Sequence, residues 1–200
     1  MKSILISIKP KYVAKILNGE KTIEIRKTCP AIFKGWGKND SFKYGCGIDV
    51  YIYCTKDNKQ RLYPVALLDK SNQVFKRAYR EDRIDNRTNY LNGKVVAKFT
   101  LNKVEEISKT ERHDAEILKK SCLTAEEFYD YLLNKPTHNE TIGYAWHISN
   151  LVIFDRPKVL WEFDKCILCE DASHDDIVHI HQRFKSTKAP QSWCYVEAEE

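Results

Sequence analysis

Apolar and polar positions alternate most cleanly at the two ends of the chain. Ile4, Ile6 and Ile8 alternate with Leu5 and Ser7, which predicts a first strand with one apolar face. Pro10 can open the following helix at its first turn, Val13, Ile16 and Leu17 recur at helical spacing, and Asn18-Gly19 ends the run. Thr22 to Arg26 then alternates, with Ile23 and Ile25 on one face and Glu24 and Arg26 on the other. At the far end, Ser192 to Glu197 predicts a last strand.

Between them the pattern changes several times. Pro30, Gly35, Gly37, Gly45 and Gly47 make 28–47 a loop region, in which Phe33, Trp36, Phe42 and Tyr44 lie among Lys34, Lys38 and Lys43. Aromatics interleaved with lysines either stack on bases or pin a loop to the body of the protein. Asp49 to Thr55 predicts a strand, and Val95, Ala97, Phe99 and Leu101 share one face of another. Within Lys70 to Arg87, Val74, Phe75, Ala78 and Tyr79 form a plausible helical stripe with a basic surround. Ser108-x-x-Glu111 and Thr124-x-x-Glu127 both have capping-box spacing and predict two helix starts. Gly143–Ile148 and Leu151–Phe154 predict two more strands, with Tyr144, Trp146 and Ile148 on one face. Asp155-Arg156-Pro157 reads as a turn, and Val159–Phe163 as a short apolar segment.

Strands at both termini, antiparallel candidates between them and two or three peripheral helices predict an α+β fold. Its expected form is a mixed, mostly antiparallel β-barrel in one domain over 1–200, with insertions near 56–92 and 164–188.

Composition narrows the class. The chain has 200 residues, 42% hydrophobic and 30% charged, as in a globular protein. No apolar run reaches the roughly 20 residues of a membrane helix, and the first residues do not read as a signal peptide, so a cytoplasmic protein without membrane partners is expected. Residues 1–43 hold ten Lys/Arg and three Asp/Glu, net +7; with +5 overall, the remainder carries −2. A basic N-terminal part suits a phosphate-bearing partner, RNA or a nucleotide or nucleoside, or is a solvated lysine surface. Seven cysteines without an export signal read as reduced thiols.

Three groups of residues carry candidate chemistry. Lys21, Glu24 and Arg26, with Lys9 and Lys27 nearby, can grip a phosphate and a base edge. If the protein is an enzyme, Lys21 and Glu24 are the acid–base candidates. Placed at an exposed rim, the same charges would form an ion pair worth only about 0–1 kcal/mol, and removing Lys21 would leave melting nearly unchanged. Cys166-x-x-Cys169 with His174 and His179 can close a tetrahedral structural zinc site or be incidental to a polar loop; no cofactor is otherwise required. Trp193, with Trp146 and His147, supplies a base-stacking indole or barrel core, and His147 has no nucleophile at a diagnostic spacing.

The spacing Gly19-x-Lys21-x-x-Glu24-x-Arg26, the N-terminal run Ile4–Tyr12 and the closing Pro190–Glu197 resemble a bacterial and phage branch of the ASCH domains, relatives of the PUA RNA-binding fold. The resemblance implies a PUA-like barrel with a nucleic-acid or nucleotide ligand held beside the motif. Some ASCH proteins are amidohydrolases of acetylated cytidine, so it also implies an alternative hydrolase acting on RNA or modified nucleosides. Those enzymes carry a threonine nucleophile where this chain has Glu24, and Lys119 falls by spacing where their distal glutamate stands.

Overall fold

The computed structural model describes residues 3–33, 47–56, 66–68, 75–77, 91–108, 115–133, 141–169 and 179–198. Strand β1 (Ser3–Ile8) is buried along its whole length, and β3 (Ile48–Cys54) lies parallel to it, with Ile4 opposite Val50. On its other side β12 (Trp193–Ala198) runs antiparallel, with Ser3 opposite Val196. Continuing outward come β10 (Phe163–Cys169) and β11 (His179–Lys185) beyond β12, and β6 (Val95–Leu101) and β9 (Ser149–Lys158) beyond β3. The resulting seven-stranded sheet has the order β11-β10-β12-β1-β3-β6-β9. A three-stranded sheet, β2-β8-β7, is made by β2 (Ile23–Arg26), β8 (Thr141–His147) and β7 (Val104–Ser108). The short β4 (Ala66–Leu68) and β5 (Phe75–Arg77) pair with each other.

The two larger sheets meet at two corners. β6 passes into β7 through Asn102 and Lys103, and β8 passes into β9 through Ile148. His147 N donates to Lys103 O at 3.0 Å and Ile148 N to Thr22 O at 2.9 Å, which ties both corners to the start of β2. Between the sheets lies the main core, built on Ile4, Ile6, Ile52, Phe99 and the fully buried Trp146. Helix α1 (Pro10–Leu17) closes one end of that core with Val13, Ile16 and Leu17. Helices α2 (Ala115–Ser121) and α3 (Ala125–Leu133) cover the far side of the smaller sheet, where Phe128 and Leu132 meet Ile23, Ile25, Ile107 and Ile142. A third cluster, including Leu5, Tyr51, Phe163 and Val196, lies on the other face of the large sheet.

The architecture is therefore mixed α+β, and every recorded strand pairing except β1–β3 is antiparallel. The described pairings form separate sheets and do not themselves close a barrel. Several expectations change. Ser108 is the last residue of β7, and Glu111, its expected capping partner, lies outside the described residues. Phe75 lies in β5, so the helical stripe expected through it does not hold there; Val74, Ala78 and Tyr79 lie outside the described residues. The stretch 164–188 supplies β10 and β11, which extend the main sheet. At the start of α3 the expected capping box is present: Glu127 N donates to Thr124 Oγ1 at 3.1 Å, and Thr124 N donates to Glu127 Oε2 at 3.2 Å.

Candidate functional site

Gly19, at φ +74°, ends α1 in the left-handed conformation that glycine adopts without steric cost. Glu20 N and Lys21 N both donate to Lys15 O, at 2.9 and 3.0 Å, so the turn delivers Lys21 beneath the helix. Alternation in β2 then buries Ile23 and Ile25 under α2 and α3 and turns Glu24 and Arg26 the other way.

There the charges form a closed, buried network. Lys21 is 2% exposed, Glu24 8% and Arg26 7%. Lys21 Nζ stands 3.1 Å from Glu24 Oε2 and donates to Ile23 O at 2.7 Å and to Ser121 O at 2.8 Å. An ammonium has three protons, and these three oxygens account for all of them. Its remaining side faces the Tyr12 ring, 5.4 Å from the centroid. Arg26 Nη2 stands 3.0 Å from Glu24 Oε1 and donates to Ser7 O at 2.7 Å, and Nη1 reaches Ser192 Oγ at 3.3 Å. Arg26 Nε is buried without a partner. Each Glu24 oxygen is thus held by one cation, which fixes the carboxylate and leaves it lone pairs to spare. The expectation of an exposed rim pair is corrected: these charges are inside, where desolvation makes loss of any one partner costly.

The network forms the floor of a cleft of about 840 Å³, within the size range of small-ligand pockets. Lys9, Lys11 and Tyr12 from α1 and its approach line one wall, Glu127, Asp130 and Tyr131 from α3 another, and Thr55, Lys56, Gln191 and Ser192 complete the rim. Lys11 Nζ meets Glu127 Oε1 at 2.5 Å across the mouth, and the Tyr12 hydroxyl donates to the same oxygen at 3.5 Å. This contact raises the Lys11 pKa and lowers that of Glu127. Burial raises Tyr12 and Tyr131, so both phenols stay protonated donors at neutral pH.

Of the residues singled out in the sequence, Lys9, Lys21, Glu24 and Arg26 come together in this cleft. Lys27 and Trp193 do not line it. Lys27 Nζ lies over the Tyr131 ring at 5.4 Å, and Trp193 packs at 5.7 Å between ring centroids on Trp146, with its indole N–H donating to Thr28 Oγ1 at 2.9 Å. Lys119 is in α2, near the turn whose Ser121 carbonyl holds Lys21. His147 Nε2 is 3.0 Å from Glu105 Oε2, out of hydrogen-bond alignment. Phe33 is buried in the main core, whereas Trp36, Phe42 and Tyr44 lie outside the described residues.

For the zinc expectation, Cys166 is buried in β10 with its Sγ 3.6 Å from Asp164 O, and Cys169 is the ladder partner of His179. His174 lies outside the described residues, and among those described no group of three or more His, Cys, Asp or Glu could hold a metal. Sequence reasoning missed Tyr12, Lys56, Glu127 and Tyr131 as cleft residues. The capping box flagged Glu127 only as a helix cap, although its second oxygen reaches across to α1.

No protein-family model matches the chain, and no curated protein matches it. Among solved structures it is similar to the ASCH protein of Zymomonas mobilis, with a TM-score of 0.44 and 11% identity over 98% of this chain and 87% of that one. Tyrosine-to-phenylalanine and serine-to-alanine mutants of that protein match at TM-scores of 0.44 and 0.43, each at 11% identity and 98% coverage of this chain, and 91% and 88% of theirs. Likeness at this level assigns neither a residue nor an activity. Among the described residues no helix is long and apolar enough to cross a membrane.

Proposed function

We propose that this is an ASCH-type protein of PUA-like, barrel-forming architecture that binds RNA or a nucleotide in the cleft over the Lys21–Glu24–Arg26 network. The observation that carries this reading is the combination of an immobilised carboxylate on the floor with lysines on the rim. Glu24 offers acceptor lone pairs to base or ribose donors, while Lys9, Lys11 and Lys56 surround a cleft large enough for a nucleotide. Tyr12 and Tyr131 add protonated phenols and ring faces for stacking.

The decisive measurement is the affinity of a labelled single-stranded RNA and of nucleotides as a function of salt. A phosphate-driven complex weakens steeply between about 50 and 200 mM salt, with a slope close to −0.7 per phosphate contacted for a single strand. Binding that ignores salt, or no binding of any of these ligands, overturns the proposal. The alternative is hydrolysis of RNA or of an acetylated nucleoside, with Lys21 and Glu24 as acid–base groups; mass spectrometry of the recovered ligands separates it from simple binding. That reading requires Lys21 to release at least one of its three oxygens before moving a proton.

A further inference from the structure

The cleft opens at Gln191 and Ser192 onto a segment, 186–192, that leads to two solvent-exposed rings. Trp161 is 63% exposed and Phe184 50%, the most exposed large hydrophobic side chains among the described residues. Phe184 sits in β11 directly opposite Lys165 of β10, and Lys165 is exposed too. The same ladder places Asp164 opposite Lys185, so alternation sends this acid–base pair to the other face; their side chains meet at 3.3 Å. Trp161 lies in the single helical turn 160–162 that packs against β11, beside Leu160, which is anchored in the third cluster.

The linking segment is held to the sheet at both ends. Ser186 N donates to Phe163 O at 2.9 Å, Ser7 Oγ to Pro190 O at 2.6 Å, and Ser7 N to Ser192 O at 2.9 Å. Lys188, midway along it, is exposed. Seven residues span at most roughly 25 Å, a length that a few nucleotides of single strand can follow.

From this arrangement, and resting on the cleft reading above, we infer that the ligand is a single-stranded nucleic acid several nucleotides long, and that Trp161 and Phe184 are a second, stacking site for bases beyond the cleft. Its backbone leaves the cleft past Gln191, crosses Lys188, and lays successive bases against the two rings with Lys165 beside them. Exposed aromatics next to cations suit single strands of any sequence, because every base has a π-face and every linkage a phosphate. A protein surface would instead meet these rings as an apolar patch, with no requirement for the cationic path between them and the cleft.

The test uses the full-length protein with a uridine 12-mer and with uridine monophosphate, in wild type, Trp161→Ala/Phe184→Ala and Lys9→Glu/Lys56→Glu. The expected result is a 12-mer that binds wild type at least tenfold more tightly than the monophosphate and quenches Trp161 fluorescence, with Trp161→Phe as the blank. The ring variant should lose about tenfold or more in 12-mer affinity and none for the monophosphate. The cleft variant should lose both. Equal 12-mer affinity in wild type and ring variant overturns the second site. A 12-mer that quenches Trp161 while the monophosphate never binds keeps the ring site and overturns the cleft. Binding of neither ligand overturns both. Should the ring variant melt early, Phe184→Tyr with Trp161→Phe keeps the stacking surface and is required to restore 12-mer affinity.

Discussion

Lys21→Met is the most informative single change. Methionine has nearly the length of the lysine stem, so the chain can stay in its slot while the ammonium disappears. Three oxygens then lose their donor: Glu24 Oε2, Ile23 O and Ser121 O. Removing one partner of a buried ion pair costs about 3–5 kcal/mol, because the remaining charge has left water without full compensation. Arg26 still holds the other Glu24 oxygen, which argues for the lower half of that range. In a chain of this size about 3–4 kcal/mol corresponds to a fall in melting temperature of roughly 6–16 °C. Circular dichroism melts and urea titrations measure it, with an unchanged m-value showing that stability and not compactness has altered. A double-mutant cycle with Glu24→Gln adds a second criterion: the two losses should fall well short of additivity, since each variant already breaks the same contact. A change below about 1 kcal/mol, the range of exposed ion pairs, would show that the network does not stabilise the fold and would refute the reasoning.

Other outcomes follow from neighbouring contacts. Glu127→Gln should cost roughly 1 kcal/mol by weakening the α3 cap and the Lys11 bridge. Because folding lowers the Glu127 pKa from its ordinary 4.5, its contribution is present above that value and lost as pH falls through the lower folded pKa; the variant should show a flatter acid limb in urea titrations. Gly143→Ala would place a Cβ 2.5 Å from Leu132 Cδ2 and 3.1 Å from Arg26 O, so it should destabilise by about 1–3 kcal/mol in a thermal melt. Burial pushes the Cys54 thiol up to about 12 and Cys194 up to about 11, so both should resist a thiol reagent at pH 8 until denaturant is added; rapid native labelling of either, read by mass spectrometry, would contradict this.

Local pattern made the turn at Gly19, the faces of β2 and the α3 capping box readable from sequence, because each depends on spacing within a few residues. The burial of Lys21, Glu24 and Arg26 was not readable, since, Ile23 O apart, the uncharged oxygens that compensate it come from Ser121, Ser7 and Ser192, distant in sequence. Strand β7 hides behind Glu105 and Glu106, an edge strand whose half-exposed face tolerates charge. In β10 and β11 a register shift at Ile167/Leu168 breaks the two-residue period, so His, Cys and Asp residues looked like a loop. The barrel expectation rested on strands at both termini; the structure does bring those strands together, at β1–β12.

That pairing sets the order in which the protein can be finished. Ser3 waits for Val196, and the cleft wall at Ser7 waits for Pro190 and Ser192. At roughly 5–20 residues per second, the ribosome needs on the order of 10–40 s to deliver the missing strand after β1 has been made. During that interval β1, buried along its whole length in the finished fold, gains β3 on one edge once that strand is made and has nothing on the other. The partly made chain therefore keeps that edge open, and the cleft is among the last features that synthesis completes.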